Sequence, residues 1–118
     1  MAQWLMKQTI AVCDGYFPGD LYALDNYPAA CYDSNSESLV HGVVLKYPVE
    51  STLLEKLDEY EEVGNKFESP TEFQRMRVKV MGEDCIDRMC WVYLYNRPTE
   101  QLLIIKEGKY LNHDSNKL

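Results

Sequence analysis

Leu39-Val-His-Gly-Val-Val-Leu-Lys-Tyr-Pro-Val-Glu-Ser-Thr-Leu-Leu-Glu-Lys-Leu-Asp-Glu-Tyr-Glu-Glu-Val63 sets a strand against a helix within one short stretch. Leu39 to Tyr47, centred on Gly42-Val-Val-Leu45, is apolar and β-branched, and Pro48 ends it because proline has no amide hydrogen to give to a ladder. From Ser51 to Val63 the period changes to that of a helix. Thr52 and Glu55 stand at capping-box spacing, and Gly64 is placed to end the helix. At about 100° per residue, Leu53, Leu54, Leu57 and Tyr60 form one apolar stripe. Glu61 falls inside that stripe, whereas Glu55, Glu59 and Glu62 point away from it. A carboxylate on a buried face costs free energy unless it is paired, hydrogen-bonded or protonated. Chains retain such groups for a polar network or for chemistry.

Strands flank this unit on both sides. Thr9 to Cys13 reads as a strand, Gly15 and Pro18-Gly19 as breaks, and Asp20 to Leu24 as resumed extended structure. Asn26 to Ala30 reads as a turn, since Tyr27 precedes a proline. Tyr32 to Ser38 is a polar loop, and Gly64 to Thr71 is a second loop. Met76, Val78 and Val80 alternate with Arg75, Arg77 and Lys79, the period of a half-exposed strand. Met81 to Asp84 is a hairpin-like connection. Arg88 to Tyr95 is apolar on both faces, as a central strand would be. Glu100 to Lys106 reads as a short helix, Met1 to Gln8 as an N-terminal arm, either a helical turn or frayed, and Asn112 to Leu118 as a flexible tail. Residues 1–118 therefore make one α+β domain, a small curled sheet or barrel flanked by one main helix.

Composition narrows the function classes. A chain of 118 residues, 46% hydrophobic and 26% charged, is long enough for its own core. Its net charge of −7 argues against nucleic acid and anionic membranes as partners, because phosphate backbones call for cationic surface. Cys13, Cys31, Cys85 and Cys90 form no CxxC pair, and His41 and His113 lie far apart. No metal site and no cofactor is expected. The start, Met1 to Thr9, leads us to expect no secretory signal, and the sequence holds no membrane-length apolar run. Cytoplasmic residence with reduced thiols is the expectation.

Six short motifs in order carry a resemblance: Gly19-Asp-Leu-Tyr22, Tyr27-Pro28-Ala29, Val40-His-Gly-Val-Val44, Leu57-Asp-Glu-Tyr-Glu61, Phe73-Gln-Arg75 and Trp91-Val-Tyr93. Over roughly Thr9 to Tyr110 the chain resembles the gamma-glutamylcyclotransferase-like family, which includes gamma-glutamylamine cyclotransferase and the plant avirulence-induced relatives. The resemblance implies a small twisted mixed β-barrel beside a helix. It also implies a reaction in which a γ-glutamyl α-amine attacks its own γ-carbonyl, releasing 5-oxoproline and an amine or amino acid. The family's catalytic glutamate maps onto Glu61, its pocket onto Gly19, Leu21, Tyr22, Tyr27 and Pro28, and its strand arginine onto Arg75.

The resemblance departs at two places. No Tyr-Gly-Ser-Leu or Tyr-Gly-Thr-Leu occurs, so the first family strand and its anion-gripping loop are missing from this sequence. Phe73 also stands where the family has a tyrosine. A missing strand leaves unpaired backbone edges, and a homodimer that closes the gap by strand pairing or exchange is expected.

Two functions stand. In the first the chain is a cyclotransferase-like enzyme acting on a small γ-glutamyl compound, with Glu61 as general acid and base. In the second it is a non-catalytic ligand-binding or oligomerising member of the same fold. Glu61 would then be a structural carboxylate, hydrogen-bonded to a core tyrosine or to backbone. Asp58, at the edge of the helix stripe, reads as a structural polar residue or as a support of the site. His41 reads as a packed or surface histidine, since no partner for a base is visible.

Overall fold

The computed structural model describes residues 2–24, 27–64 and 71–109. The expectations for Asn26, for the loop at 65–70 and for the tail at 112–118 lie outside them. The element order is α1 (Ala2–Gln8), β1 (Ile10–Leu24), β2 (Tyr27–Tyr32), β3 (Leu39–Lys46), α2 (Leu53–Tyr60), β4 (Phe73–Gly82), β5 (Asp87–Tyr95) and β6 (Leu103–Ile104).

β1 organises the sheet. The two segments expected before and after Pro18-Gly19 are one strand of 15 residues. Its first part pairs with β3, from Ile10↔Lys46 to Pro18↔Leu39, with an irregularity between Ala11 and Cys13. Its last part pairs with β2, from Gly19↔Tyr32 to Leu24↔Tyr27. The expected turn at Tyr27-Pro28 is therefore a strand. Proline is tolerated there, opposite Ala23 at the start of β2. The polar loop after Tyr32 leaves the ladder where β1 changes partner: Asp33 N–H donates to the Pro18 carbonyl, and Gly19 N–H donates to that of Ser38.

β4 meets β1 only at Gly15↔Gly82 and Tyr16↔Met81. A Cβ on Gly15 would stand 2.8 Å from Val80 Cγ1, so the close crossing of the two strands needs glycine there. β4 and β5 then form a long antiparallel hairpin, from Phe73↔Tyr95 to Met81↔Asp87. The hairpin's Tyr95 end lies over β2, where Phe73 packs between Tyr27 and Tyr95 with ring centroids 6.1 and 5.8 Å away.

Among the described residues every pairing is antiparallel and the sheet does not close on itself. β3 pairs only with β1, and β5 only with β4. These residues form an open curled antiparallel sheet, one of the two forms the sequence left open, and do not show the closed mixed barrel that the resemblance implied. β5 is an edge strand and not a central one. Its two apolar faces have a different cause: one packs Leu94 into the core, and the other leaves Met89 and Trp91 exposed. The expected helix at Glu100 to Lys106 is a turn followed by β6, which pairs with Tyr22 and Ala23 of β1. The core joins Phe17, Leu21, Val40, Val44, Val78, Val80 and Leu94.

A slot of about 670 Å³ lies between the open edges. β3 forms one wall, Arg88 to Tyr93 of β5 the other, and Leu53, Leu54 and Leu57 of α2 contribute to its lining.

Candidate active site at the end of α2

The sequence places Glu61 at the end of a helix stripe, and the structure shows what ends that helix. At the start, Thr52 makes no side-chain cap, so the capping box does not form. Instead Ser51 Oγ accepts the Leu53 N–H at 2.9 Å. At the finish, Glu61 is the C-cap residue. Glu62 N–H donates to the Glu59 carbonyl, and Val63 N–H donates to that of Asp58. These two bonds are a Schellman motif. Its left-handed position is held by Glu62 at φ 56°, not by the glycine expected two residues on. A side chain with a Cβ is strained there. Glu62→Gly is therefore expected to stabilise the protein by about 0.5–1 kcal/mol, after allowance for glycine's larger entropy when unfolded. Thermal unfolding checks it, and an unchanged or lower Tm would refute the strain.

Asp58, three residues before Glu61 and one helical turn away, carries the densest polar contacts. Arg75 Nε donates to Asp58 Oδ1 at 2.8 Å, and Arg75 Nη2 donates to Oδ2 at 3.1 Å. Tyr93 Oη donates to Oδ1 at 2.7 Å. Arg75 and Tyr93 are direct partners across the β4–β5 ladder, which is why both reach the same carboxylate. The Arg75 guanidinium also lies 4.4 Å from the centroid of Trp91, a cation–π contact. Both side chains of the ion pair are 24% exposed, so this bidentate, three-donor contact is better shielded than a surface bridge. The Tyr93 phenol is raised far above its ordinary value, first by burial and then by the hydrogen bond and charge of Asp58. It is a permanent donor.

Glu61 itself is half-buried. Burial, and next the charge of Glu72, raise its carboxyl above the ordinary carboxylate value. The negative end of the α2 dipole acts in the same sense. Among the described residues nothing hydrogen-bonds the Glu61 carboxyl. A structural role called for a hydrogen bond from a core tyrosine or from backbone; Tyr93, the tyrosine at this site, donates to Asp58 instead. Glu72 accepts a hydrogen bond from Tyr27 Oη at 2.5 Å, with Arg97 Nη1 at 3.5 Å from its other oxygen.

Of the expected pocket residues, Tyr27 comes to Glu61's neighbourhood through Glu72, with Pro28 beside it. Tyr22 lies next to them in the ladder, opposite Ala29. Gly19 and Leu21 are buried on β1 and line a separate small cavity with Ser38 and Ile104. Arg75 is held by Asp58. Glu72 was not anticipated: it precedes β4 and follows a loop without a motif, so no pattern flagged it. His41 packs on Tyr16, with ring centroids 5.8 Å apart. The four cysteines are free thiols.

The family model for gamma-glutamyl cyclotransferase, AIG2-like proteins matches residues 1–112. The chain belongs to that family. The gamma-glutamylcyclotransferase family protein ytfP of Citrobacter rodentium (strain ICC168) is 30% identical over 94 residues, which are 80% of this chain and 68% of that protein. The solution NMR structure of protein ytfP from Escherichia coli matches with a TM-score of 0.53 at 23% identity. That match covers 91% of this chain and 77% of the other, and it supports the family fold. The family points to a small-molecule substrate, in keeping with a site built of a few convergent polar side chains. No helix among the described residues is long and apolar enough to cross a membrane. Nor do those residues include a group of three or more His, Cys, Asp or Glu able to hold a metal ion.

Proposed function

We propose that this gamma-glutamylcyclotransferase-like chain cyclises a γ-glutamyl amine or amino acid to 5-oxoproline, with Glu61 as the general acid and base. The observation that carries this reading is a half-buried carboxyl on the family's catalytic position that no described donor occupies, beside a neighbour that has three donors. A structural carboxylate in this site would have taken Tyr93 or Arg75 for itself. Asp58 has both.

The reaction asks little beyond proton transfer and orientation. The Glu61 carboxylate takes a proton from the substrate's α-ammonium group. The freed amine nitrogen attacks the γ-carbonyl carbon and closes a five-membered ring. The resulting Glu61 carboxylic acid then gives its proton to the leaving nitrogen as the original amide C–N bond breaks. Glu61 returns to its starting state and no water is consumed. A carboxyl raised towards neutrality suits both half-steps, and the nucleophile is already attached to its target. Tyr27 and Pro28 border the substrate in this reading, with Tyr22 beside them. Gly19 and Leu21 shape the strand behind, and Arg75 acts through Asp58. Incubation with γ-glutamyl amino acids and with γ-glutamyl-ε-lysine, followed by measurement of 5-oxoproline, tests it. Release from one of these substrates is expected, and no release from any would end the proposal for them.

The open sheet supports a homodimer as the finer assembly. Among the described residues β3 and β5 each lack a partner on the edge that faces the slot, and Val12, Val43, Met89 and Trp91 are exposed around it. Unpaired edges recruit strands, and a second copy supplies them by symmetric pairing. Light scattering at micromolar concentration is expected to give twice the 13.8 kDa of one chain. A monomer mass there refutes the dimer.

A further inference from the structure

We propose that Asp58, Arg75 and Tyr93 together are the positioning device of Glu61. They pin the last turn of α2 to the β4–β5 hairpin and cancel the Asp58 charge that would otherwise face the reacting carboxyl. This inference rests on the cyclotransferase reading for its activity arm only.

The geometry has two parts. The first is mechanical. The backbone carbonyl of Asp58 closes the Schellman motif through Val63 N–H, while its side chain takes three donors from the hairpin. One residue thus fixes both the path of the chain around Glu61 and the placing of that path against the sheet. Glu61 is the C-cap between those two restraints. Side chains at i and i+3 share a helix face, so the Asp58 clamp and the Glu61 carboxyl lie on the same side.

The second part is electrostatic. The groups around Glu61 are Asp58, Glu59 and Glu62 of its own helix end, Glu72 before β4, Arg75 on β4 and Tyr93 on β5. Glu72 raises the Glu61 carboxyl, and the Glu61 charge in turn reaches Tyr93, the phenol that donates to Asp58. The bidentate Arg75 fork on the same carboxylate makes Asp58 and Arg75 a neutral unit. Removing either partner leaves the other's charge uncompensated beside Glu61. The two removals therefore push the Glu61 titration in opposite directions.

That opposition is the test. Glu61 is followed by NMR in the whole protein labelled with carboxyl-¹³C glutamate, its resonance assigned by its loss in Glu61→Gln. Asp58→Asn leaves a bare guanidinium and is expected to move the Glu61 midpoint to lower pH. Arg75→Gln leaves a bare carboxylate and is expected to move it to higher pH. Arg75→Lys keeps the charge but not the fork, so its midpoint is expected to stay near that of the wild type. A merely structural loosening would expose Glu61 and send all three midpoints down together, and that result would overturn the proposal. So would unmoved midpoints in both charge-removing variants. In the 5-oxoproline assay all three variants are expected to lose about ten- to a hundredfold in kcat, the size of effect that a small misplacement of a reacting group produces. Unchanged kcat in all three would also overturn it. If the wild type releases no 5-oxoproline, the cyclotransferase reading fails while the titration still decides the positioning role.

Discussion

Glu61→Gln is expected to cut 5-oxoproline release by about 10²–10⁴-fold, the range that loss of a positioned acid or base produces. The amide has nearly the shape of the carboxyl, so substrate should still bind and KM should change far less than kcat. The same variant is expected to be more stable than the wild type at neutral pH. Burial raises the folded-state pKa of Glu61 above its ordinary value of 4.5. A raised folded pKa stabilises the fold fully below the unfolded value, and that contribution is lost as pH rises through the folded one. Above it the chain holds a half-buried charge that glutamine does not have. The Tm difference should thus be small near pH 4 and open in favour of the variant towards pH 8. Gain of stability with loss of turnover is the mark of a residue kept for chemistry. Unchanged turnover with an unchanged pH–Tm profile would return Glu61 to an ordinary surface role.

Glu61 was legible because a helix repeats every 3.6 residues, and a charge inside an apolar stripe stands out without any tertiary knowledge. The meeting of donors on its neighbour Asp58 was not. Arg75 and Tyr93 meet on Asp58 because the hairpin register sets them opposite each other, and that register depends on the turn. The turn contains no Asn-Gly or Asp-Gly pair of the kind that marks a tight hairpin. Cys85 takes its left-handed position at φ 65°, and Cys85 N–H donates to the Gly82 carbonyl. A turn centred on Met81 to Asp84 would have put a different residue opposite Arg75. β5 misled for a related reason. Its apolar faces fit a central strand by composition, yet its hydrogen-bonding neighbours are a property of the whole sheet. The open edges were an inference from a missing motif. Among the described residues β3 pairs only with β1 and β5 only with β4, and no motif hinted that the slot between them would be bordered by α2. Asp58 was read as structural or supporting, and its three donors agree with both descriptions, since support of the helix end is what the site requires.

Gly19→Ala is expected to be the most damaging small substitution on β1, and to act through the fold. The sequence offered Pro18-Gly19 as a break, and the resemblance offered Gly19 as part of the pocket. In the structure the strand runs straight through it, at φ 156°, a backbone conformation that side chains with a Cβ rarely adopt. A Cβ there would overlap the carbonyl oxygen of Cys31 on β2. That carbonyl belongs to the backbone of a paired strand, held by the Asp20↔Cys31 register, so it cannot swing aside as a side chain would. The Gly19 amide is also engaged, donating to Ser38 at 3.0 Å, and is not offered to a ligand. Backbone strain of about 1–3 kcal/mol and a comparable overpacking cost together make about 2–6 kcal/mol, against a usual total stability of about 5–15 kcal/mol. A fall in Tm of roughly 10 °C or more is expected. Gly42→Ala is the control: it lies on β3 with nothing within 4 Å of its Cβ, and its stability should be unchanged or slightly raised. If Gly19→Ala kept its Tm but lost substrate affinity, the pocket role would stand and the structural one would fall. Equal losses for both alanines would show that strand flexibility, and not the closeness of Cys31, is what Gly19 provides.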